Sequence, residues 1–231
     1  MKQTDILKVK ELAKALVYLP IEINKNYPLF VSHPYTDSTI LFDQSDGSVE
    51  AIDVTTPDGE ARFHQMMINI IDAESDVLHV LWHISKSYRF SFVKYVDVYL
   101  SSEDLGRCVR DIWINAENTN NNRVFSKRSL VGLFHRCSQD TLMQPLELKA
   151  LKNLPDSITI YRGVGSYNNK DLNVFSWTLS YDVALWFAKR FGNAPEVYQA
   201  DIQKTDVLAY FDMEKEIVVN PFKLKNIQKI Y

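Results

Sequence analysis

The order of apolar and polar positions divides the chain into three stretches of different texture. In the first, apolar residues recur every three or four positions, which predicts an amphipathic helix capped by Thr4 or Asp5. Short apolar runs follow, and two of them flank Asp46-Gly47, which predicts a hairpin with a tight turn. Pro57-Asp58-Gly59 punctuates the end of this stretch. We therefore expect an N-terminal α/β segment over residues 1–58.

The second and third stretches predict helices followed by a sheet. Residues 59–156 carry apolar residues at helical spacing in the segments Phe63 to Ile71, Val77 to Ile84, Phe92 to Leu100, Leu105 to Trp113 and Leu130 to Cys137. Residues 157–231 change to strand patterning, interrupted by one helix that Ser180 caps and Gly192 ends. This order predicts an α+β domain over residues 59–231, with a helical layer (59–156) before a β-core (157–231).

Composition and charge exclude several function classes. The chain has 231 residues, 46% of them apolar and 24% charged, which is typical of a globular protein. Its formal net charge of −3 shows no basic excess, which argues against a nucleic-acid partner. With only 7 glycines, a Gly-rich dinucleotide fold is disfavoured. No apolar run suits a signal peptide or a membrane span, so we expect a cytoplasmic protein without a membrane partner.

Cysteine and histidine usage predicts no disulfide and no metal site. Cys108 and Cys137 lie in segments of helical pattern and are interpreted as reduced core residues. His79 and His83 share a helical face, but a third ligand and a catalytic base are missing from their motif.

The first motif with chemical meaning is an arginine at the end of an apolar strand face. Ile158, Ile160 and Arg162 share that face by alternation. A guanidinium there needs an anion, and its planar donors suit a phosphate. Gly163 would let the backbone approach a ligand. A structural arginine paired with a core carboxylate explains the pattern equally well.

Two further motifs follow in the chain. In Phe175-Ser176-Trp177-Thr178, two hydroxyls share a strand face and can serve one polar site, although ordinary amphipathic strands have the same pattern. In Glu214-Lys215-Glu216, an extended backbone would point both carboxylates the same way, about 7 Å apart. Glu216 directly precedes a buried strand, where a carboxylate is costly without a partner. In isolation, this motif is better interpreted as a solvated charge cluster than as a functional pair of carboxylates.

Taken together and in this order, the three motifs resemble the R-S-E class of ADP-ribosyltransferases, in its bacterial and bacteriophage branch. The resemblance covers residues 157–221 and includes the helix after the serine motif. The middle motif departs from the usual Ser-Thr-Ser pattern in its last two places, while its first serine is kept. The resemblance implies a split β-sandwich preceded by a helical layer, with NAD as the co-substrate. Residues 1–58 fall outside it, and their role is open.

The resemblance also implies roles for individual residues. Glu216 would be the catalytic carboxylate, and Ser176 would orient it. Arg162 would bind the pyrophosphate and the nicotinamide ribose of NAD. Glu214 would orient and help deprotonate the nucleophile, and a glutamate at this place goes with arginine acceptors in the family. The residues expected to contact NAD are Tyr161, Arg162, Gly163, Tyr167, Phe175, Ser176, Trp177 and Thr178.

The leading functional interpretation is a mono-ADP-ribosyltransferase, a glycosyltransferase whose partner is a macromolecular acceptor with an arginine side chain, most simply a protein. Three alternatives stay open: an NAD glycohydrolase, a transferase to an Asn side chain or a nucleic-acid base, and an inactive module that acts through protein–protein contact. A toxin of this kind would have an antitoxin or inhibitor protein as a second partner. A bacteriophage effector would act in the cytoplasm of its host.

Overall fold

The computed structural model describes residues 2–44, 47–116, 123–165, 171–190 and 194–231. It is a mixed α/β structure of about 48% helix and 23% strand, and its sheets are antiparallel. None of the helices in these ranges is long and apolar enough to cross a membrane. The chain forms two compact units: one comprises the described residues up to Asp104 together with Ile114–Ala116, and the other comprises Leu105–Trp113 and the described residues from Arg123 onward.

The N-terminal unit combines helices with short antiparallel strands. Its elements are α1 (Ile6–Val17), β1 (Glu22–Ile23), β2 (Phe30–His33), β3 (Thr36–Ser38), β4 (Ile40–Asp43), β5 (Glu50–Asp53), α2 (Pro57–Ala73), α3 (Val77–His83) and α4 (Lys86–Val96). Asp5 caps α1 by accepting the Lys8 N–H at 3.1 Å, as its position predicts. The apolar stripe of α1 is buried, and α1 packs against α2, whose Phe63 is also buried.

The C-terminal unit carries the larger sheet. Its elements are α5 (Ser102–Asn115, of which Leu105–Trp113 belong here), α6 (Lys127–Arg136), α7 (Gln139–Leu142), α8 (Pro145–Asn153), β6 (Ser157–Val164), β7 (Ser176–Thr178), α9 (Tyr181–Arg190), β8 (Glu196–Gln203), β9 (Val207–Phe211), β10 (Glu216–Val219) and β11 (Lys225–Lys229). The sheet has the strand order β11-β8-β6-β7-β10-β9. The strands that carry the three motifs, β6, β7 and β10, are therefore neighbours.

The core of this unit follows from alternation along the central strands. Ile160 on β6, Trp177 on β7 and Ile217 on β10 belong to one buried apolar cluster. A smaller cluster joins Ala184 and Ala188 of α9 to Val197 of β8. Residues between these positions point to the other face of their strand, because successive side chains of a strand alternate. Ser176 and Glu216 are thus placed by the same alternation that buries their neighbours Trp177 and Ile217.

Most predicted elements are confirmed. The strands at residues 40–43 and 50–53 pair as a hairpin, but six residues separate them, and Asp46 of the predicted tight turn lies outside the described residues. Pro57-Asp58-Gly59, the predicted punctuation, forms the first turn of α2, with Thr56 as its cap. Gly192, the expected end of α9, also lies outside the described residues.

Two features differ from the sequence prediction. The first compact unit continues past residue 58 to Asp104, because α2 packs on α1 and belongs to the same unit. The edge strand β11 was not predicted, since its five residues are all exposed and show no apolar alternation. It forms by pairing with β8.

Candidate active site

The three motifs lie side by side in the sheet. Thr178 of β7 stands opposite both Tyr161 of β6 and Glu216 of β10. Ser176 stands opposite Val218, two residues further along β10. Because residues directly opposite each other in an antiparallel pair point to the same side, Ser176 and Glu216 share one face of the sheet. The pairing thus brings the serine and the second glutamate to the same face of neighbouring strands.

Glu216 is a half-buried carboxylate held by two donors. The Trp113 indole N–H donates to its Oε1 at 3.2 Å, and the Ser176 side chain forms a second hydrogen bond with it. Burial raises the pKa of Glu216, and the nearby negative charge of Glu214 raises it further. The two hydrogen bonds and the positive charge of Arg162 lower it in part. Glu216 is therefore within electrostatic range of both predicted charged partners.

Arg162 keeps a donor that nothing in the described part of the chain accepts. Its Nη1 donates to the Ser176 carbonyl oxygen at 2.9 Å, while its Nε is buried and unpaired there. Burial lowers the pKa of Arg162 to about 10, against the charges of Asp171 and Glu216, which raise it. The guanidinium is still a cation at neutral pH. A half-buried cation with a buried, unused Nε–H fits the binding of an anionic ligand, because such a donor is costly to leave unpaired.

An ion pair that the sequence analysis missed lies near Arg162. Lys127, the first residue of α6, contacts Asp171 at 2.7 Å between Nζ and Oδ2. This hydrogen bond is the main reason why the pKa of Asp171 is lowered, and the charge of Arg162 also contributes. The two residues lie 44 positions apart, so no local pattern could have joined them.

Glu214 is positioned by a turn and not by an extended strand. Residues 212–215 form the turn between β9 and β10, and Glu214 is exposed there. Lys215 adopts a positive φ of 48°, which breaks the alternation on which the predicted 7 Å spacing depended. The Thr178 hydroxyl donates to the Glu214 carbonyl oxygen at 2.9 Å, and the Leu179 N–H donates to that of Lys215 at 3.0 Å.

The remaining residues of the second motif pack in the core or anchor the turn before β10. Trp177 is 2% exposed, and its indole N–H donates to the Val174 carbonyl oxygen at 3.1 Å. Phe175 is also buried, and its ring lies 6.1 Å from that of Trp113. Alternation sends Trp177 into the core, and the contact of these two rings with NAD stays a prediction. Thr178 uses its hydroxyl on the turn, as described above.

Tyr161 and Gly163, the neighbours of Arg162 in the chain, both lie against α9. Tyr161 is half-buried, with its ring edge-to-face against Tyr181 at 5.9 Å. A Cβ on Gly163 would lie 1.9 Å from the Ala184 carbonyl oxygen, so the close approach that this glycine permits is that of α9. Contact of its backbone with NAD stays a prediction. Tyr167, the expected stacking residue, lies outside the described residues.

Trp113, whose indole N–H contacts Glu216, is the main residue of the candidate site that sequence reasoning overlooked. On α5 it continues a buried apolar stripe, and its ring packs edge-to-face on Phe134 at 5.0 Å. Such a position predicts a core residue. The one available signal was the indole N–H, since a buried tryptophan requires an acceptor.

Among the described residues, neither the cysteines nor the histidines form a second candidate site. Cys108 and Cys137 are buried and not disulfide-bonded, and burial raises the pKa of Cys137 to about 12. Glu74 pairs with His83 at 2.8 Å and with His79 at 3.3 Å. Within the described ranges, no group of three or more potential ligand side chains could hold a metal ion.

Comparisons of the chain with protein-family models, with curated proteins and with solved structures find no match. The case for a function therefore depends on the geometry of these side chains.

Proposed function

We propose that this protein is a mono-ADP-ribosyltransferase, which cleaves NAD at the nicotinamide glycosidic bond and transfers ADP-ribose to an arginine of a target protein. The observation that carries the proposal is the convergence of Arg162, Ser176 and Glu216 on three neighbouring strands. These residues come from separate motifs, and the sheet brings them within hydrogen-bonding or electrostatic range. The same proposal includes the fold: we propose that the mixed α/β structure is an ADP-ribosyltransferase-like split β-sandwich.

Glu216 would stabilise the charge that develops during the reaction. When the nicotinamide bond breaks, the anomeric carbon becomes cationic, as in glycoside cleavage. A fixed carboxylate in a partly buried site stabilises such a cation more strongly than water does. The donors Ser176 and Trp113 hold the carboxylate in one orientation and favour its ionised form.

Arg162 would bind the anionic part of NAD. Its buried Nε–H lacks an acceptor in the described part of the chain, and its pKa of about 10 keeps it charged. A pyrophosphate would supply the missing acceptor. This supports NAD as the substrate, because the same molecule has an anion for Arg162 and a cleavable glycosidic bond for Glu216.

Glu214 would receive the acceptor. Its carboxylate is exposed at the turn, two residues before Glu216, where a macromolecule can reach it. A carboxylate offers a guanidinium two charge-assisted hydrogen bonds, which supports an arginine as the acceptor. An exposed site of this kind suits a protein target, and an inhibitor protein could cover the same surface.

The proposal is tested with labelled NAD in a bacterial lysate, comparing the wild type with Glu216→Gln. We expect nicotinamide release and protein labelling to fall by about 100-fold or more, the scale of losing a group that stabilises transition-state charge. Glu22→Gln, an exposed change in the N-terminal unit, is the matched control and should keep both activities.

Three outcomes separate the alternatives. A labelled protein that depends on Glu216 supports transfer and identifies the target. Glu216-dependent nicotinamide release without labelling, across lysates of several hosts, would replace the proposal with an NAD glycohydrolase. Neither signal from a folded wild-type protein would leave the inactive binding module as the better reading.

A further inference from the structure

A buried carboxylate outside the predicted site is connected to the turn that carries Glu214. Glu147 on α8 is only 6% exposed and forms a two-pronged ion pair with Arg110 of α5, with N···O distances of 2.6 and 3.2 Å. Burial by itself would raise the pKa of Glu147, but the hydrogen bonds from Arg110 and from backbone N–H groups outweigh it and lower the pKa. Glu147 therefore holds a negative charge at neutral pH.

The remaining capacity of this carboxylate is used on two backbone donors. Its Oε2 accepts the Gln144 N–H at 2.7 Å, which caps α8. Its Oε1 accepts the Asp212 N–H at 3.2 Å. Asp212 is the first residue of the turn, and its carbonyl oxygen accepts the Lys215 N–H at 3.1 Å, which closes the turn. Glu147 thus anchors the start of the turn, while Thr178 of β7 and the following Leu179 anchor its end.

Helix α5 consequently contacts the Glu216 carboxylate directly and the turn that carries Glu214 indirectly. Trp113 contacts Glu216 directly, and Arg110, three residues earlier on the same helix, reaches the turn through Glu147. We propose that the Arg110–Glu147 pair is a positioning device that fixes Glu214 relative to Glu216, and so determines how ADP-ribose divides between a protein acceptor and water. This inference rests on the proposed function.

The division concerns the last step of the reaction. In both outcomes the bond between ribose C1′ and the nicotinamide nitrogen breaks, and its electron pair leaves with nicotinamide. In transfer, a guanidine nitrogen of the acceptor forms the new bond to C1′, and the proton that it loses passes to the Glu214 carboxylate and then to solvent. In hydrolysis, a water oxygen forms that bond and releases the proton. Only transfer needs Glu214 in a fixed place.

The test compares variants that remove the anchor with variants that keep it. The double variant Arg110→Met/Glu147→Leu removes the acceptor of the Asp212 N–H without leaving a lone buried charge, so the fold should survive. Glu147→Gln keeps a carbonyl oxygen for that N–H. Glu196→Gln is the control. It weakens the Lys229–Glu196 ion pair (2.9 Å) between β11 and β8, at the opposite edge of the sheet from β10 and β9.

Two measurements are made on each variant: hydrogen exchange of the Asp212 amide, and the ratio of labelled protein to released nicotinamide. We expect the double variant to exchange this amide at least about tenfold faster and to lose transfer about tenfold more than nicotinamide release, because small misplacements of a reacting group cost one to two orders of magnitude. For both the exchange rate and the ratio, Glu147→Gln should give values between those of the double variant and the wild type. Glu196→Gln should give the wild-type values.

The outcomes distinguish this inference from the function on which it rests. An unchanged Asp212 exchange rate in the double variant overturns the anchor, whatever the activities are. Faster exchange with an equal fall of both activities overturns the effect on the division of ADP-ribose. If the wild type releases no nicotinamide that depends on Glu216, the proposed function fails, and the division fails with it, while the exchange data still decide the anchor.

Discussion

At the scale of single residues, the charge of Glu216 is opposed by burial and supported by its donors. Burial raises its pKa, and the hydrogen bonds from Ser176 and Trp113 act in the opposite direction. Removing either donor must raise the pKa further, since each one favours the ionised carboxylate. If the ionised form is the active one, the pH dependence of NAD cleavage measures these bonds directly.

We therefore expect Ser176→Ala and Trp113→Phe to move the acidic limb of the pH–rate profile to higher pH. The effect of Ser176→Ala should be the larger one, because its hydrogen bond has the greater influence on the pKa of Glu216. The measurement is nicotinamide release against pH at saturating NAD.

The matched control is Trp186→Phe, which changes an exposed tryptophan on α9 and should leave the limb in place. A limb that stays fixed in both folded test variants would contradict the role given to these donors.

At the scale of elements, α9 and β6 must approach closely for Arg162 to be placed where it is. Gly163 follows Arg162 directly and lies beneath Ala184 of α9. Real Cβ atoms do not approach an oxygen to 1.9 Å, so a larger residue here must displace the helix or the strand. The packing of α9 on β6 at Gly163 therefore affects the position of the adjacent Arg162.

We expect Gly163→Ala to lower the free energy of unfolding by about 1–3 kcal/mol, the usual cost of overpacking. Gly132→Ala on α6 is the matched control. A Cβ at Gly132 meets nothing within 4 Å, so this change should raise stability by about 0.5–1 kcal/mol through helix propensity. Urea unfolding of both variants checks the pair, and equal effects of the two substitutions would contradict the packing argument.

At the scale of the whole molecule, burial separates apolar residues that stabilise the fold from those available to partners. The N-terminal unit has a buried core on its helices but exposes several large apolar side chains on and between its strands, namely Ile23, Tyr27, Leu29, Phe30, Phe42 and Val49. Its stability should therefore respond to the helical core and not to these strand residues.

Two phenylalanines of this unit make the comparison direct. Phe63→Ala should cost about 3–5 kcal/mol, since the ring is fully buried on α2. Phe42→Ala should stay within about 0.5 kcal/mol, because the side chain is 65% exposed on β4. Thermal and urea unfolding measure both. A large loss from Phe42→Ala would mean that this residue is covered by another chain in solution.

The sequence was informative wherever periodicity decides the outcome. Alternation placed Arg162, Ser176 and Glu216 on strands, and the strand pairing then brought Ser176 and Glu216 to one face. It could not predict contacts between distant elements, such as Lys127 with Asp171 or Arg110 with Glu147.

Local backbone exceptions were equally hidden from the pattern. The left-handed conformation of Lys215 places Glu214 on a turn, although the residue types suggested an extended strand. The polar strand β11 is defined only by its partner, because none of its five side chains is buried.

The hydrogen bond between Trp113 and Glu216 couples the ionisation of the site to intrinsic tryptophan fluorescence. Indole fluorescence responds to a charge gained or lost beside the ring, and here the ring nitrogen contacts the carboxylate itself. Protonation of Glu216 would therefore change the emission of one tryptophan among the four in the chain. The protein thus carries its own optical probe for the ionisation of Glu216, and a ligand that perturbs this contact would change the signal without any attached dye.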